Sequence, residues 1–173
     1  MKILYTVMRC PLGFLLVGAT EHGLCTAQFG DSERALERSL RHEYPAAQLQ
    51  RDEAHLTTWV KALQGYFQGH EIAPELPVDV QATAFQQRVW QALRKIPYGE
   101  TRSYSEVAEA IGRPKAARAV ARACATNPVA LVIPCHRVIR NDGSLGGYGG
   151  GIARKKKLLE HEQRPSLKSR KRV

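Results

Sequence analysis

Cys135 stands between Pro134 and the His136-Arg137 pair in LVIPCHRVIRNDGSLGGYGGG, residues 131–151. A thiol at its ordinary pKa of about 8.5 is only a few per cent thiolate at neutral pH, so a nucleophilic cysteine needs a neighbouring base or charge. His136 is adjacent in sequence, and Glu162, in the late stretch LLEHE, is a carboxylate able to orient its imidazole. Adjacency alone makes no dyad, because neighbouring side chains of an extended strand point to opposite faces. Pro134 and the end of the apolar run at Ile133 predict a turn instead. A turn brings the two side chains close or places one water between them. The competing reading is a cysteine that is simply buried, the usual fate of a free thiol.

The other candidate groups are weaker. Cys124 shares the i, i+4 stripe of an alanine-rich segment with Val120 and reads as core. Cys10, Cys25, His22 and His70 lack standard ligand spacing, so neither a metal nor a cofactor is expected. His42, His55 and His161 read as surface residues. The loop Gly146-Gly147-Tyr148-Gly149-Gly150-Gly151 lacks the strand-loop-helix context of a nucleotide-binding loop. Its glycines either let backbone wrap closely around a flat ligand, with Tyr148 as a stacking face, or form a flexible connector.

The elements that position these residues follow from periodicity. KILYTVM, GFLLVGA and GLCTAQF, separated by Pro11-Leu12-Gly13 and Glu21-His22-Gly23, predict a meander of short strands. Helices are predicted over Ser32–Tyr44 and Glu53–Gln68, the second with Leu56, Val60, Leu63 and Phe67 on one stripe. Leu76-Pro77-Val78 reads as an extended linker. Thr83-Ala84-Phe85-Gln86 and Ser103-Tyr104-Ser105-Glu106 are capping boxes that open two more helices. Gly112 suits a helix C-terminus, and Pro114 suits the first turn of KAARAVARACA, giving a helix-turn-helix pattern. In that last helix Ala116, Ala117, Ala119 and Ala121 leave little bulk, while Arg118 and Arg122 stand out. Such a face serves either tight helix packing or close approach to a narrow groove. The fold class is α+β. A small N-terminal antiparallel sheet with helices (1–80) precedes a mainly helical part (81–163), and the basic tail 164–173 is expected to be disordered.

Composition bounds the function classes. The 173 residues suffice for a core without disulfide staples. The four cysteines match no disulfide framework, and no opening signal peptide or apolar run of membrane-spanning length is present. A soluble, cytoplasmic, monomeric protein is expected, and the layout from Met1 favours a stand-alone chain. Net charge is +10, split as −3 over residues 1–80 and +13 over residues 81–173. That split points to a polyanion partner for the second half, or to a solubilising face with a basic tail.

Three stretches carry a family resemblance: FQQRVWQALRKIPYGET, SYSEVAEAIGRPKAARAVARACATNPVALVIPCHRVI and DGSLGGYGGGIARKKKLLEHE. From about Thr83 to Glu162 the chain closely resembles the O6-alkylguanine-DNA alkyltransferases, also called methylated-DNA–protein-cysteine methyltransferases. Residues 1–80 resemble that family's N-terminal domain only in layout. The resemblance implies irreversible, single-turnover transfer of the alkyl group from O6-methylguanine, and O4-methylthymine, to Cys135 after base flipping in double-stranded DNA. It implies that His136 relays the thiol proton through a water and that Glu162 holds the working tautomer. Tyr104 is expected to donate to the guanine ring, and Arg118 to fill the gap in the base stack. Asn127 is expected to tie the helix-turn-helix to the active-site segment. The carbonyls of Cys135 and Val138 are expected to accept from the base's exocyclic amine, with Tyr148 lining the pocket. Ala116, Ala117, Arg118, Ala119, Ala121 and Arg122 correspond to a recognition helix entering the minor groove. Gly149 departs from relatives with serine there, leaving only a backbone N–H toward the alkylated oxygen. Two other function classes compete: a lesion-binding module that does not repair, and a DNA-binding regulator of which this chain is a piece.

Overall fold

The computed structural model describes residues 1–164. The basic tail falls outside the described residues, apart from Arg164. Strands β1 (Lys2–Cys10), β2 (Gly13–Ala19) and β3 (Leu24–Gly30) form the expected antiparallel meander, with Val7 opposite Leu16 and Val17 opposite Ala27. A fourth strand, β4 (Gln48–Arg51), pairs parallel to β1, so the order is β3-β2-β1-β4 and the sheet is mixed. The sequence QLQR of β4 has a single apolar residue, so no alternation announces it; the free edge of β1 recruits it.

Alternation along the strands sorts side chains to two faces. Tyr5, Val7 and Leu16 meet Leu36 and Leu40 of α1 (Glu33–Glu43), whose N-terminus is capped by the Ser32 side chain. Leu15, Val17 and Ala27 face the other way into the main core, which they share with the C-terminal half. A short 3₁₀ turn, Ala54–Leu56, precedes α2 (Thr57–Phe67), which buries Val60, Leu63 and Tyr66. Tyr66 joins the stripe as a buried residue, and Phe67 packs against the same core while partly exposed. Leu76–Val78 is more than a linker: Leu24 N–H donates to the Pro77 carbonyl and Asp79 N–H to the Leu24 carbonyl.

Both capping boxes form, at Thr83 before α3 (Ala84–Arg94) and at Ser103 before α4 (Tyr104–Ala110). Such caps contribute about 1 kcal/mol each. Gly112 takes φ +72° just beyond α4, a left-handed conformation that glycine adopts without Cβ strain. Pro114 does not open the next helix. A turn closed by Ala116 N–H to the Arg113 carbonyl intervenes, and α5 (Ala117–Ala125) starts three residues later with Ala116 at its N-cap. Trp90 Nε1 donates to the Ala123 carbonyl at 2.9 Å, locking α3 against α5. The last helix, α6 (Ile152–Glu162), buries Leu158 in the main core and Glu162 at its end. Among the described residues no helix is long and apolar enough to cross a membrane.

Candidate active site

The segment carrying Cys135 is held from several sides. Ala27 at the edge of the sheet accepts from Ala130 N–H at 2.9 Å and donates to the Pro128 carbonyl at 2.8 Å. Leu131 takes φ 69°, a conformation that costs a branched residue free energy and persists only where surrounding packing dictates it. Cys135–Arg137 is a 3₁₀ turn, as Pro134 predicts, and leads into β6 (Val138–Ile139). That strand pairs parallel with β5 (Arg102–Ser103), which ends at the cap of α4 and thereby brings Tyr104 beside the site.

Within the turn, Cys135 and His136 are both buried. His136 Nε2 lies 2.7 Å from Glu162 Oε1. Arg137 grips the same carboxylate twice, Nε to Oε2 at 2.9 Å and Nη2 to Oε1 at 3.0 Å. Tyr66 Oη donates to Oε1 at 2.8 Å, and Gly99 N–H to Oε2 at 3.3 Å. Burial alone pushes the Glu162 carboxyl up, but the hydrogen bonds and charges of His136 and Arg137 outweigh it and take its pKa to about 2. Burial lowers the His136 pKa, against the pull of Glu162. The pair is therefore a neutral imidazole donating from Nε2 to a carboxylate. This leaves Nδ1, which has no protein partner, as the basic lone pair.

Burial raises the Cys135 pKa, while the Asn127 hydrogen bond and the Lys155 charge oppose the rise. These two influences do not offset the sulfur's loss of solvent, so the resting thiol keeps its proton. Asn127 does join the two segments, donating from Nδ2 to the Ile133 carbonyl at 2.8 Å and to Cys135 Sγ at 3.1 Å. Its Oδ1 accepts from Val129 N–H. Cys124 is pushed by burial to about 12, as its core position predicts.

Two adjoining cavities, of about 220 and 390 Å³, open onto Cys135. Tyr104, Tyr148 and Gly149 line them, as the sequence suggests. Ala27, Gln28 and Phe29 of β3 close the smaller one, a wall from the N-terminal half that sequence reading missed. Tyr104 rides so close over Gly146 that an added Cβ there would fall 2.8 Å from the phenol oxygen. The Tyr148 hydroxyl is buried without a protein partner. The Val138 carbonyl already accepts from Lys155 Nζ at 2.6 Å, and the Cys135 carbonyl from Val138 N–H. Each retains a second lone pair for a ligand amine.

Helix α5 turns Val120, Ala123 and Cys124 inward and leaves Arg118 and Arg122 exposed. Ala116, Ala117, Ala119 and Ala121 are half-buried beside them, a low face between two guanidinium groups. An open cleft of about 430 Å³ lies between Arg118, Ala121, Tyr104 and Arg140, next to the Cys135 cavity.

Several site residues were invisible in the sequence. Arg137 and Tyr66 support Glu162, and Lys155, 0% exposed, reaches the carbonyls of Val138 and Gly147. The signal for Lys155 was weak: a lysine within KKK looks solvated, and only helix phase turns it inward. His161 is not a simple surface residue, since its Nε2 lies 2.8 Å from the Tyr66 carbonyl. Among the described residues no group of three or more His, Cys, Asp or Glu could hold a metal ion.

Comparison with known proteins bears on this arrangement. Residues 84–164 match the family model described as 6-O-methylguanine DNA methyltransferase, DNA binding domain, and residues 3–80 its ribonuclease-like domain. The chain is 44% identical over 162 residues to the bifunctional transcriptional activator/DNA repair enzyme Ada of Escherichia coli, covering 94% of this chain but 46% of that protein. It thus spans about half the length of that relative. It is also 44% identical over 159 residues to the methylated-DNA–protein-cysteine methyltransferase of Mycobacterium bovis, covering 92% of both. The crystal structure of Mycobacterium tuberculosis OGT in complex with DNA superposes with a TM-score of 0.79 at 37% identity, over 96% of each chain. Two family models in series over nearly the whole chain, the second of them spanning Cys135, make this chain a member of the 6-O-methylguanine DNA methyltransferase family.

Proposed function

We propose that the protein repairs DNA by taking the alkyl group of O6-methylguanine onto its own Cys135. The observation that carries this reading is the buried line Cys135–His136–Glu162 facing a cavity that adjoins an exposed, low helix with two arginines. The thiol proton passes through one water to His136 Nδ1, whose basicity Glu162 supports from the far side of the ring. The thiolate attacks the methyl carbon, the C–O bond breaks, and its electron pair returns to the purine. Tyr104 donates its phenolic proton to the purine as charge develops there, a role for a fixed donor in a site closed to water. The imidazolium proton then restores the Tyr104 phenol, leaving guanine, a neutral histidine and S-methylcysteine. A thioether has no facile hydrolysis route, so each molecule acts once.

DNA is the partner in this reading. Helix α5 enters the minor groove, where the alanines permit close approach, and Arg118 occupies the space vacated by the flipped base. O4-methylthymine is accepted in the same cavity, and the protein acts as a cytoplasmic monomer. Division of labour follows the two halves: residues 1–80 support the site, and residues 81–163 bind DNA and perform transfer. A lesion-binding module without repair is not favoured, because such a module needs neither the thiol nor a buried relay behind it. The test is incubation with a duplex bearing one O6-methylguanine, followed by intact mass and peptide mapping. One added methyl on the Cys135 peptide is expected; an unmodified protein overturns the proposal.

A further inference from the structure

The wall of the Cys135 cavity formed by residues 146–151 packs at Gly146, Tyr148 and Gly150 but is open at the glycines between and after them. An added Cβ at Gly147, Gly149 or Gly151 meets nothing within 4 Å, so those positions stand in open space. Two consecutive side chains of the first turn of α6 also fasten the loop. Lys155 Nζ donates to the Gly147 carbonyl at 3.2 Å, and Arg154 Nη1 to the Gly150 carbonyl at 3.0 Å.

Arg154 reaches further. Its Nε donates to the Leu12 carbonyl at 2.9 Å, in the β1–β2 turn, and its Nη2 lies 2.5 Å from Asp31 Oδ1, just after β3. One guanidinium therefore joins three segments: the turn at Leu12, the corner at Asp31 and the loop carrying Tyr148. Phe29 of β3 also packs at Gly150, and both line the smaller cavity with Cys135 and Tyr148.

We propose that Arg154 is a specificity-determining positioning residue. By fastening the glycine wall to the N-terminal sheet, it sets the width of the alkyl cavity and so the size of alkyl group that Cys135 accepts. The planar fork of arginine suits this task, because it addresses several fixed acceptors at once with little loss of freedom per bond. With the fork in place, Tyr148 is held toward Phe29 and Cys135. Without it, a loop rich in glycine moves outward into open space and admits a larger group. The inference rests on the reading of Cys135 as alkyl acceptor.

The experiment measures second-order transfer rates to Cys135 from duplexes containing O6-methylguanine or O6-benzylguanine, for wild type, Arg154→Ala and Asp31→Ala. Thermal melting of each variant is recorded alongside. Hydrophobic pockets discriminate about 10-fold or more per methylene, so Arg154→Ala should raise the benzyl-to-methyl rate ratio about fivefold or more while the methyl rate falls at most about threefold. Asp31→Ala, at an exposed carboxylate, should raise the ratio about twofold, because it loosens one of three anchors. A ratio that stays constant or drops in Arg154→Ala overturns the proposal and makes the residue merely structural. If Arg154→Ala fails to fold, Asp31→Ala decides alone, and an unchanged ratio there overturns it. Failure of the wild type to take up any alkyl group would instead sink the reading of Cys135.

Discussion

His136 and Glu162 meet at 2.7 Å with both side chains fully closed to solvent, although 26 positions separate them. A charge so placed is tolerable only when paired and saturated with donors. Arg137, Tyr66 and Gly99 supply those donors. The carboxylate is thus fixed before substrate arrives, and the imidazole keeps Nδ1 as its one nitrogen without a protein partner.

Cys135 alone should carry the alkyl group. Cys124 lines the same cavities, but it belongs to the buried stripe of α5, whereas Cys135 accepts a hydrogen bond from Asn127 and is the chain neighbour of the His136–Glu162 pair. Burial holds the Cys25 thiol near 12. Peptide mapping after reaction should place the methyl on the Cys135 peptide, and Cys135→Ala should be inactive. A methyl on Cys124 would sink the assignment.

Glu162→Gln should affect two readouts. It leaves the Arg137 guanidinium unpaired in a buried setting, so stability should drop by about 3 kcal/mol in urea titrations. It also removes the orienting charge behind His136, so transfer should slow by about 10²-fold in the fraction that stays folded. Lesion binding by the folded fraction should change little. A transfer rate equal to wild type would show that the carboxylate serves the fold only.

Stability should decline in acid in two stages. The folded His136 pKa lies below its ordinary 6.5, so its contribution is full above pH 6.5 and is lost as pH falls below it. The Glu162 pKa lies near 2 instead of 4.5, so its contribution, about 3 kcal/mol by linkage, is full above pH 4.5 and fades toward pH 2. The raised Cys135 pKa acts oppositely, favouring the fold below pH 9.0 and withdrawing that support as pH rises. Urea midpoints across pH should therefore show a plateau from about pH 6.5 to 9.0. A midpoint that holds constant down to pH 4 would contradict the neutral, buried imidazole.

Arg118→Ala should slow repair of a lesion in duplex DNA much more than reaction with the free modified base. The side chain projects from the exposed edge of α5 beside the cleft that adjoins Tyr104. A group filling the base stack matters only when a stack exists. Phosphate contacts instead govern the salt dependence of binding, so the slope of affinity against salt should stay nearly constant in this variant. Equal slowing on both substrates would mean that Arg118 supports the pocket rather than the flipped state.

The turn carrying Cys135 and His136, the two capping boxes and the alanine-rich helix were legible in the sequence because each depends on neighbours within a few positions. Glu162 was identified as a partner, but nothing local shows that Arg137 and Tyr66 would saturate it. The start of α5 was misjudged because Pro114 is compatible with both a first turn and the turn before it. Strand β4 escaped because its four residues lack alternation, and the open edge of β1 alone defines it. The burial that raises the Cys135 pKa is a property of the assembled core and could not be read from the PCHR stretch. The same holds for Lys155, Arg154 and the β3 wall. Residue types and short spacings named the chemistry, while long-range burial and contacts between the two halves decided which atoms are charged, which are held, and how wide the cavity is.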